Sequence, residues 1–500
     1  MIWNVWLPVM ILATSISAGV IIFVLPEERH SLRSFINLAA ALLKVALVCV
    51  LIWGVYLGME YETRFSIVPG LDFVLRADSL AVLFAGLSSV LWLCTTVYAI
   101  GYLEDSPNRS RFFGFFSFCV ASTLGIAFAG NLFTFLLFYE ILTLSTYPLV
   151  VHRGTETALR AGRNYLAYTL CGGAVLLLAI AWLHSIAGDL EFQAGGHFRD
   201  LAESADPALA WIFLLLIAGL GVKAAIVPLH GWLPQAMVAP APVSALLHAV
   251  AVVKAGVFGI VRVVYDIYGI EFAAGQGYLV PLGWVAAVTI LYASVRALWQ
   301  SDLKRRLAFS TISQVSYIIL GVCLLGPIGT IGGVVHLLHQ GLMKVTLFFC
   351  AGNYAETLGI HRVDELDGAG RRMPLTSLAF TLGALGMIGI PPLAGFISKW
   401  YLGMGALQAG LPWMLGVLIA SSLLNCGYFL PILHRLWFRP RPAAWPDEQD
   451  LGHRRHETSL WLLLPPLATG ALVILAGILA AMPISPLSWA EMFAGQEYQQ

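Results

Sequence analysis

The chain has 500 residues, of which 59% are hydrophobic and only 11% charged, where a soluble chain carries about 25% charged residues. That composition describes an integral membrane protein and excludes a disordered, nucleic-acid-binding or disulfide-stapled chain; the 28 Lys+Arg balance the 28 Asp+Glu, so net charge implies no polyanion partner. The seven cysteines (Cys49, Cys94, Cys119, Cys171, Cys323, Cys350 and Cys426) fall inside apolar runs without a CxxC pair, so they read as small buried hydrophobes and not as an iron–sulfur or zinc framework.

A helix that crosses a bilayer needs about 20 mostly apolar residues. Runs of that kind predict fourteen spans, near residues 4–24, 35–58, 79–101, 112–129, 131–150, 164–187, 208–228, 242–265, 279–299, 308–325, 330–353, 375–400, 411–434 and 459–481. The predicted fold is all-α and integral to the membrane. The first run has no basic segment before it and Glu27-Glu28-Arg29-His30 after it, the pattern of a retained helix rather than a cleaved signal peptide. The stretch 435–458 is rich in Pro and Arg and reads as a linker.

With the N-terminus taken as outside, the inside loops hold eighteen Lys and Arg residues, including Arg29, Arg109, Arg153, Lys304, Arg371, Arg454 and Arg455, and the outside loops hold only Arg64, Arg76 and Arg199. Positive charge is retained on the cytoplasmic side. The asymmetry therefore predicts a plasma (inner) membrane protein with both termini outside.

Seven further basic residues lie within the apolar runs: Lys44, Lys223, Lys254, Arg262, Arg296, Lys344 and Lys399. Arg262 and Arg296 lie near span ends, where a long side chain can snorkel to the interface. Lys44 reads as packing or as a contact with another subunit. The other four lysines each cost about 2.5–3.5 kcal/mol at a helix centre, and Glu140 in the fifth span adds to that cost. An intramembrane ionisable residue is a functional-site hypothesis for that reason.

An internal repeat accompanies them. Pro228-Leu-His-Gly-Trp232 ends the seventh span and Pro392-Leu-Ala-Gly-Phe396 interrupts the twelfth, each near a lysine and five spans apart. Pro and Gly in an apolar run break a helix, and paired broken helices mark a transporter built from repeats. The spacing predicts two five-helix units, spans 4–8 and 9–13. An odd number of spans per unit forces the second to be inverted. The chain then divides into 1–101, the first repeat 102–265, the second repeat 266–437, and a linker with the last span, 438–500.

Glu140 has no other charge within ten residues in sequence, and Lys223 is its natural partner. Lys223 precedes Pro228, where a freed carbonyl and water can solvate the gap. A lysine so placed can gain and lose a proton near neutral pH; the alternative is a permanent structural ion pair. His248 and Lys254 share the eighth span, six residues and about 9 Å of helical rise apart, so a proton passes between them only through water or another side chain. His336, Gln340 and Lys344 are spaced four apart on one stripe of the eleventh span, with His339 beside them. Such a stripe suits a hydrated lining; the alternative is hydrogen bonding between packed helices. Lys399 follows the second break and could end the series or snorkel. No nucleotide, metal or hydrolase motif stands out, so no cofactor and no metal site is expected.

The stretches Lys223-Ala-Ala-Ile-Val-Pro228-Leu-His230-Gly-Trp232-Leu-Pro234, Ala241-Pro242-Val-Ser244-Ala-Leu-Leu-His248 and Lys254-Ala-Gly256, with Glu140, Asp302–Gln314 and the stripe of the eleventh span, resemble the antiporter-like subunits of respiratory complex I, membrane-bound hydrogenases and Mrp-type multisubunit cation/proton antiporters. Ile360–Pro374 and Ser421–Pro431 look most like the D-type member of the Mrp group. The resemblance implies proton passage along a polar axis in the membrane plane. It implies Glu140 and Lys223 as the first pair, His248 and Lys254 as the bridge, His336 and Lys344 as the second half-channel, and Lys399 as its end. Many relatives carry a second histidine where this chain has Gln340, which implies a water-filled gap there. The expected function is a transporter subunit, not an enzyme, exchanging protons for Na⁺ or another monovalent cation. Its expected partners are other membrane subunits and the lipid bilayer, with no nucleic acid. The alternative is the proton-pumping membrane subunit of an NADH:quinone oxidoreductase or a hydrogenase.

Overall fold

The computed structural model describes residues 2–68, 71–103, 106–188, 190–198, 206–448 and 457–498; Arg199, Arg454 and Arg455 lie outside them. Every expected span has a helical counterpart. The first six are α1 (Ile2–Val24), α2 (His30–Tyr56), α3 (Ser79–Tyr102), α4 (Arg109–Phe128), α5 (Leu132–Val150) and α6 (Glu156–Ala187). The polar residue before each of three of these helices caps it. Asp78 accepts from Ala81 N at 2.8 Å, Asn131 from Thr134 N at 2.8 Å and Thr155 from Ala158 N at 3.2 Å, each satisfying an orphan donor of the first turn.

The seventh span is α7 (Ala208–Ala224), which breaks before the short α8 (Trp232–Gln235). The eighth is α9 (Ala241–Ala249) and α10 (Val252–Arg262), extended by a π-helical turn over Val263–Tyr268. After the short α11 (Ile270–Gly275) come α12 (Leu279–Leu298), α13 (Leu303–Val322) and α14 (Pro327–Leu358). The short α15 (Ala369–Arg372) leads into the twelfth span, which is α16 (Pro374–Ile388) and α17 (Ala394–Gln408), followed by α18 (Pro412–Phe438) and α19 (Leu460–Ile478). Among the described residues, eleven spans are long and apolar enough to cross a membrane, with Ala241–Tyr268 taken as one. The three expected spans missing from that set are the two broken ones and α13, which carries Lys304, Arg305, Arg306 and a run of Ser, Thr and Gln. Helices α9, α10 and α14 are buried almost throughout and form the centre of the bundle.

Two elements lie outside the expectation of helical spans. Residues Tyr61–Val68 (β1) and Leu71–Ala77 (β2) form an antiparallel hairpin, with Arg64 opposite Val74 and Phe65 opposite Phe73. Tyr61, Thr63, Phe65 and Ile67 alternate along β1 with the more polar Glu62, Arg64 and Ser66, a period-2 pattern of β-forming residues that suits a strand. Gly130 N donates to Val74 O at 2.9 Å, and Arg64 and Arg76 reach Glu191 at 2.6 and 2.7 Å. The hairpin thereby ties the starts of α3 and α5 to the loop after α6. The second unexpected element is α20 (Pro486–Tyr498), past the last span. It lies on the same face as the hairpin: Ser79 donates to Gln496 Oε1 at 2.7 Å and Gly195 N to Glu497 Oε2 at 3.2 Å. The 438–500 segment therefore holds this docked helix as well as the last span.

Chain direction follows from these contacts. The strand β1 meets α1 through Thr63 and Val5, so α1 starts on the hairpin face and α20 ends there. Helix α7 runs inward from the hairpin face. Helix α16 runs inward from the opposite face, where Glu457 accepts from Leu375 N at 2.8 Å and Thr376 N at 2.6 Å at its first turn. The two broken helices thus run in opposite senses.

Two basic residues of the apolar runs need correction. Arg262 does not snorkel. It is 1% exposed and pairs with Asp78 at 2.7 Å and Asp266 at 3.1 Å, because the cap of α3 and the π-turn bring two carboxylates to it. Lys44 makes its contacts inside the chain and is not available to another subunit. It is buried, donates to Ser15 of α1 and lies 4.2 Å from the Trp92 ring of α3.

Candidate functional site

Lys223 occupies the last turn of α7, beside the break, and is fully buried. Its ammonium donates to the carbonyl of Tyr139 and lies 3.2 Å from the centroid of the Tyr139 ring. The ring is held in turn by its hydroxyl, which donates to Gly219 O at 3.2 Å. Glu140 is the next residue on α5. Its carboxylate lies against Gly173 of α6, and its Oε1 has no hydrogen-bond partner among the described residues. The acid and the base are neighbours here, but the lysine is bonded to the adjacent carbonyl and not to the carboxylate. Trp232 caps the break, donating from Nε1 to Val222 O at 2.8 Å.

A Cβ on Gly173 would stand 2.7 Å from Glu140 Cδ and closer still to Oε1. The carboxylate is the end of a flexible side chain and can swing away, so Gly173→Ala is expected to fold. It displaces Glu140 from its place beside Lys223. Transport is expected to fall several-fold while the amount of assembled complex on a native gel stays at the wild-type level.

The eighth span is interrupted at Val250–Ala251, between His248 on α9 and Lys254 on α10. They are on two helices, not one. Gly341 of α14 sits against the break, where a Cβ would stand 2.9 Å from Ala249 O. His248 stacks on Phe348 at 4.7 Å, and its Nδ1 has no partner among the described residues. Lys254 donates to Leu337 O on α14 at 2.7 Å.

In the second half, His336 on α14 is hydrogen-bonded to Ser398 on α17 at 2.8 Å and stacks on Tyr317 of α13 at 5.3 Å. Lys399 stands 5.5 Å from the same Tyr317 ring. It reaches back across the break, donating to Met387 O and Ile388 O at 2.9 Å each and to Ser422 at 3.0 Å. It does not snorkel outward. Lys223 lies in the last turn before its break and bonds a carbonyl of α5, whereas Lys399 follows its own break and bonds the last carbonyls of α16, where exposed carbonyls favour a cation.

Lys344 donates to Ser310 at 2.7 Å. From there a chain of contacts leads on: Ser310 to the Tyr428 hydroxyl at 2.8 Å, Tyr428 to Asn425 Oδ1 at 2.6 Å, and Asn425 Nδ2 to Met387 O at 3.0 Å, a carbonyl shared with Lys399. Ser310, Tyr317, Asn425 and Tyr428 do not stand out in the sequence. The one signal there is the density of hydroxyl and amide side chains in α13, from Ser310 to Tyr317. Both polar atoms of Gln314 and of Gln340, both ring nitrogens of His339 and the hydroxyl of Tyr317 have no partner among the described residues. Buried polar atoms of that kind are ordinarily met by water.

The seven expected residues thus fall into two groups. Glu140 and Lys223 lie at the first break. His336, Lys344 and Lys399 converge around α13, with Lys254 bonded to α14 beside His336 and His248 one break away. Among the described residues, no group of three or more His, Cys, Asp or Glu is placed to hold a metal ion. Amines and imidazoles in an apolar interior are groups that can exchange protons.

Residues 129–425 match the family model described as NADH:quinone oxidoreductase/Mrp antiporter, and residues 69–113 match that of the complex I chain 5 N-terminus. The chain is similar to the N component of the NADH-quinone oxidoreductase of Desulforudis audaxviator, at 36% identity over 83% of both chains. It is similar to the D component of the Na⁺/H⁺ antiporter of Bacillus subtilis at 27% identity, over 78% of this chain and 77% of that one. Other matching relatives are longer, and the chain spans about half of them. A chain in the structure of the Mrp complex from Dietzia sp. DQ12-45-1b superposes with a TM-score of 0.87 at 25% identity, covering 100% of this chain and 98% of that one. The chain is therefore a multi-pass, antiporter-like membrane protein of the NADH:quinone oxidoreductase/Mrp antiporter family.

Proposed function

We propose that this chain is the proton-translocating subunit of a multisubunit Na⁺/proton antiporter, with the hairpin face outside and other membrane subunits as partners. One observation carries the reading. Lys223, Lys254 and Lys344 are fully buried and Lys399 is half-buried, and each ammonium is bonded to a carbonyl or hydroxyl in place of a carboxylate. A buried charge without a bonded counter-ion is costly, so such lysines suit groups that are charged only for part of a cycle. A proton leaving one ammonium leaves a neutral amine, which can accept the next. Ser310 and Tyr428 extend this from Lys344 toward Lys399, while Asn425 orients Tyr428. Glu140 supplies the negative charge that draws a proton to the first break.

The supporting experiment is cation-driven proton movement. The native complex, purified in mild detergent and reconstituted, is expected to dissipate an imposed pH gradient on addition of Na⁺. It is expected to contain small hydrophobic subunits and no redox partner by mass spectrometry. The similarity to a quinone oxidoreductase component favours a second reading, a proton-pumping module of a redox complex. Co-purifying iron–sulfur or flavin subunits would establish that reading and remove the Na⁺ assignment.

A further inference from the structure

Lys44 stands outside both repeats and outside the axis just described, yet it has the same chemistry as the axis lysines. It is completely buried. Its ammonium is bonded to a hydroxyl, Ser15, and lies over an aromatic ring, Trp92, at 4.2 Å. Lys223 over Tyr139, Lys344 over Phe429 and Lys399 over Tyr317 repeat that aromatic placement. Among the described residues, no carboxylate is bonded to Lys44. A lysine kept only for packing would carry the full cost of a buried charge for a task that leucine or methionine performs without it.

The surroundings of Lys44 are polar in a directed way. On α3, Ser88, Trp92 and Thr96 are spaced four residues apart and therefore form one stripe, with Ser89 beside Ser88. The hydroxyls of Ser88, Ser89 and Thr96 and the indole Nε1 of Trp92 are all buried and all without a partner among the described residues. Asn37, on the buried face of α2 with Lys44, also has an unpartnered Oδ1. The same stretch of α3 touches the axis. Leu87 packs on Gly341 of α14, where a Cβ would stand 3.1 Å from a Leu87 methyl. Gly341 follows Gln340, whose amide is unpartnered at both atoms. Unpartnered groups thus line α3 at Ser88, Ser89, Trp92 and Thr96, with Trp92 against Lys44, and α3 meets α14 one residue from Gln340. We propose that Lys44 is a further proton-carrying lysine, joined to the axis at Gln340 by a hydrated side branch along this stripe of α3. The branch rests on the proton-transport reading above and adds to it a titrating amine in the N-terminal bundle. A proton reaching Lys44 converts its amine to the ammonium, and its return to the stripe restores the amine.

The test uses the intact complex in proteoliposomes, with Na⁺-driven proton movement and thermal stability measured together. Lys44→Met removes the amine at similar volume, and Lys44→Arg keeps a cation that cannot release its proton. Both are expected to assemble and to slow transport at least tenfold. The double variant Ser88→Ala, Ser89→Ala leaves Lys44 and its contacts in place and is expected to slow transport several-fold. Wild-type transport in Lys44→Met, or restoration by Lys44→Arg, would make the lysine a packing or fixed-charge element and overturn the proposal. If the lysine variants do not assemble, wild-type transport in the serine double variant overturns the branch. Glu140→Gln is run in parallel. Full transport in that variant would instead undermine the axis reading itself, so the two failures are separable.

Discussion

Replacing Glu140 with glutamine is expected to slow cation-driven proton movement about 100-fold or more, the scale of losing a proton-transfer group, while the complex still assembles. Glutamine keeps the volume and hydrogen-bonding capacity of the side chain against Gly173. It can neither take up nor release a proton. Glu140 is the charged group that acts on Lys223, and among the described residues no other acid stands beside Lys223 to draw a proton toward the break. Lys223→Ala is expected to be equally damaging, because the carbonyl of Tyr139 would lose its donor and the face of the Tyr139 ring its cation. The double variant is expected to be no worse than either single one, as for two members of one unit. Quenching of a pH-gradient dye in vesicles of matched complex content measures all three. Wild-type quenching in Glu140→Gln vesicles would sink the assigned role, and additive losses would show the two residues acting separately.

The parts of this architecture that are legible in the sequence are those that cost free energy in a membrane. A lysine or glutamate in an apolar run is conspicuous because lipid penalises it, and a Pro-Leu-x-Gly motif is conspicuous because it cannot continue a helix. Lys223, Lys254, Lys344, Lys399, Glu140 and both broken helices emerge on those grounds. Neutral hydroxyls carry little such penalty, since a serine or threonine in a helix can bond the preceding turn, as Thr311 does to Leu307 O at 3.0 Å. Ser310 and Tyr428 are therefore invisible until their helices are brought together. The break between His248 and Lys254 is hidden for a different reason. Neither Val250 nor Ala251 is a helix breaker, and the close approach of Gly341 on α14 is a tertiary fact. The hairpin escapes detection because seven alternating residues, Tyr61 to Ile67, do not register among apolar runs of span length.

Arg262→Met is expected to be the most destabilising single change outside the axis. Arg262 is buried between Asp78 at the cap of α3 and Asp266 in the π-turn, with the rings of Phe192 and Phe258 at 5.1 and 5.2 Å. Glu497 of α20, itself buried, acts on the same cluster. Two carboxylates thus share one guanidinium with a third nearby, and removing it leaves the buried charge of Asp266 uncompensated. Breaking a buried pair in this way costs about 3–5 kcal/mol. Burial, reinforced by the facing Asp266 carboxylate, holds Glu497 above the ordinary carboxylate range. The sign for α20 follows. A carboxyl whose proton is held more tightly in the folded state docks best when protonated, and that contribution is lost as pH rises from the ordinary carboxylate range through the raised value. Arg262→Met is therefore expected to lower the thermal midpoint of the complex at neutral pH and to lower it less near pH 5, where protons replace the missing cation. Adding Asp266→Asn is expected to recover part of the loss at neutral pH, because it removes the uncompensated charge. Equal destabilisation at both pH values, with no recovery in the double variant, would show that the guanidinium holds this face together by packing and not by charge.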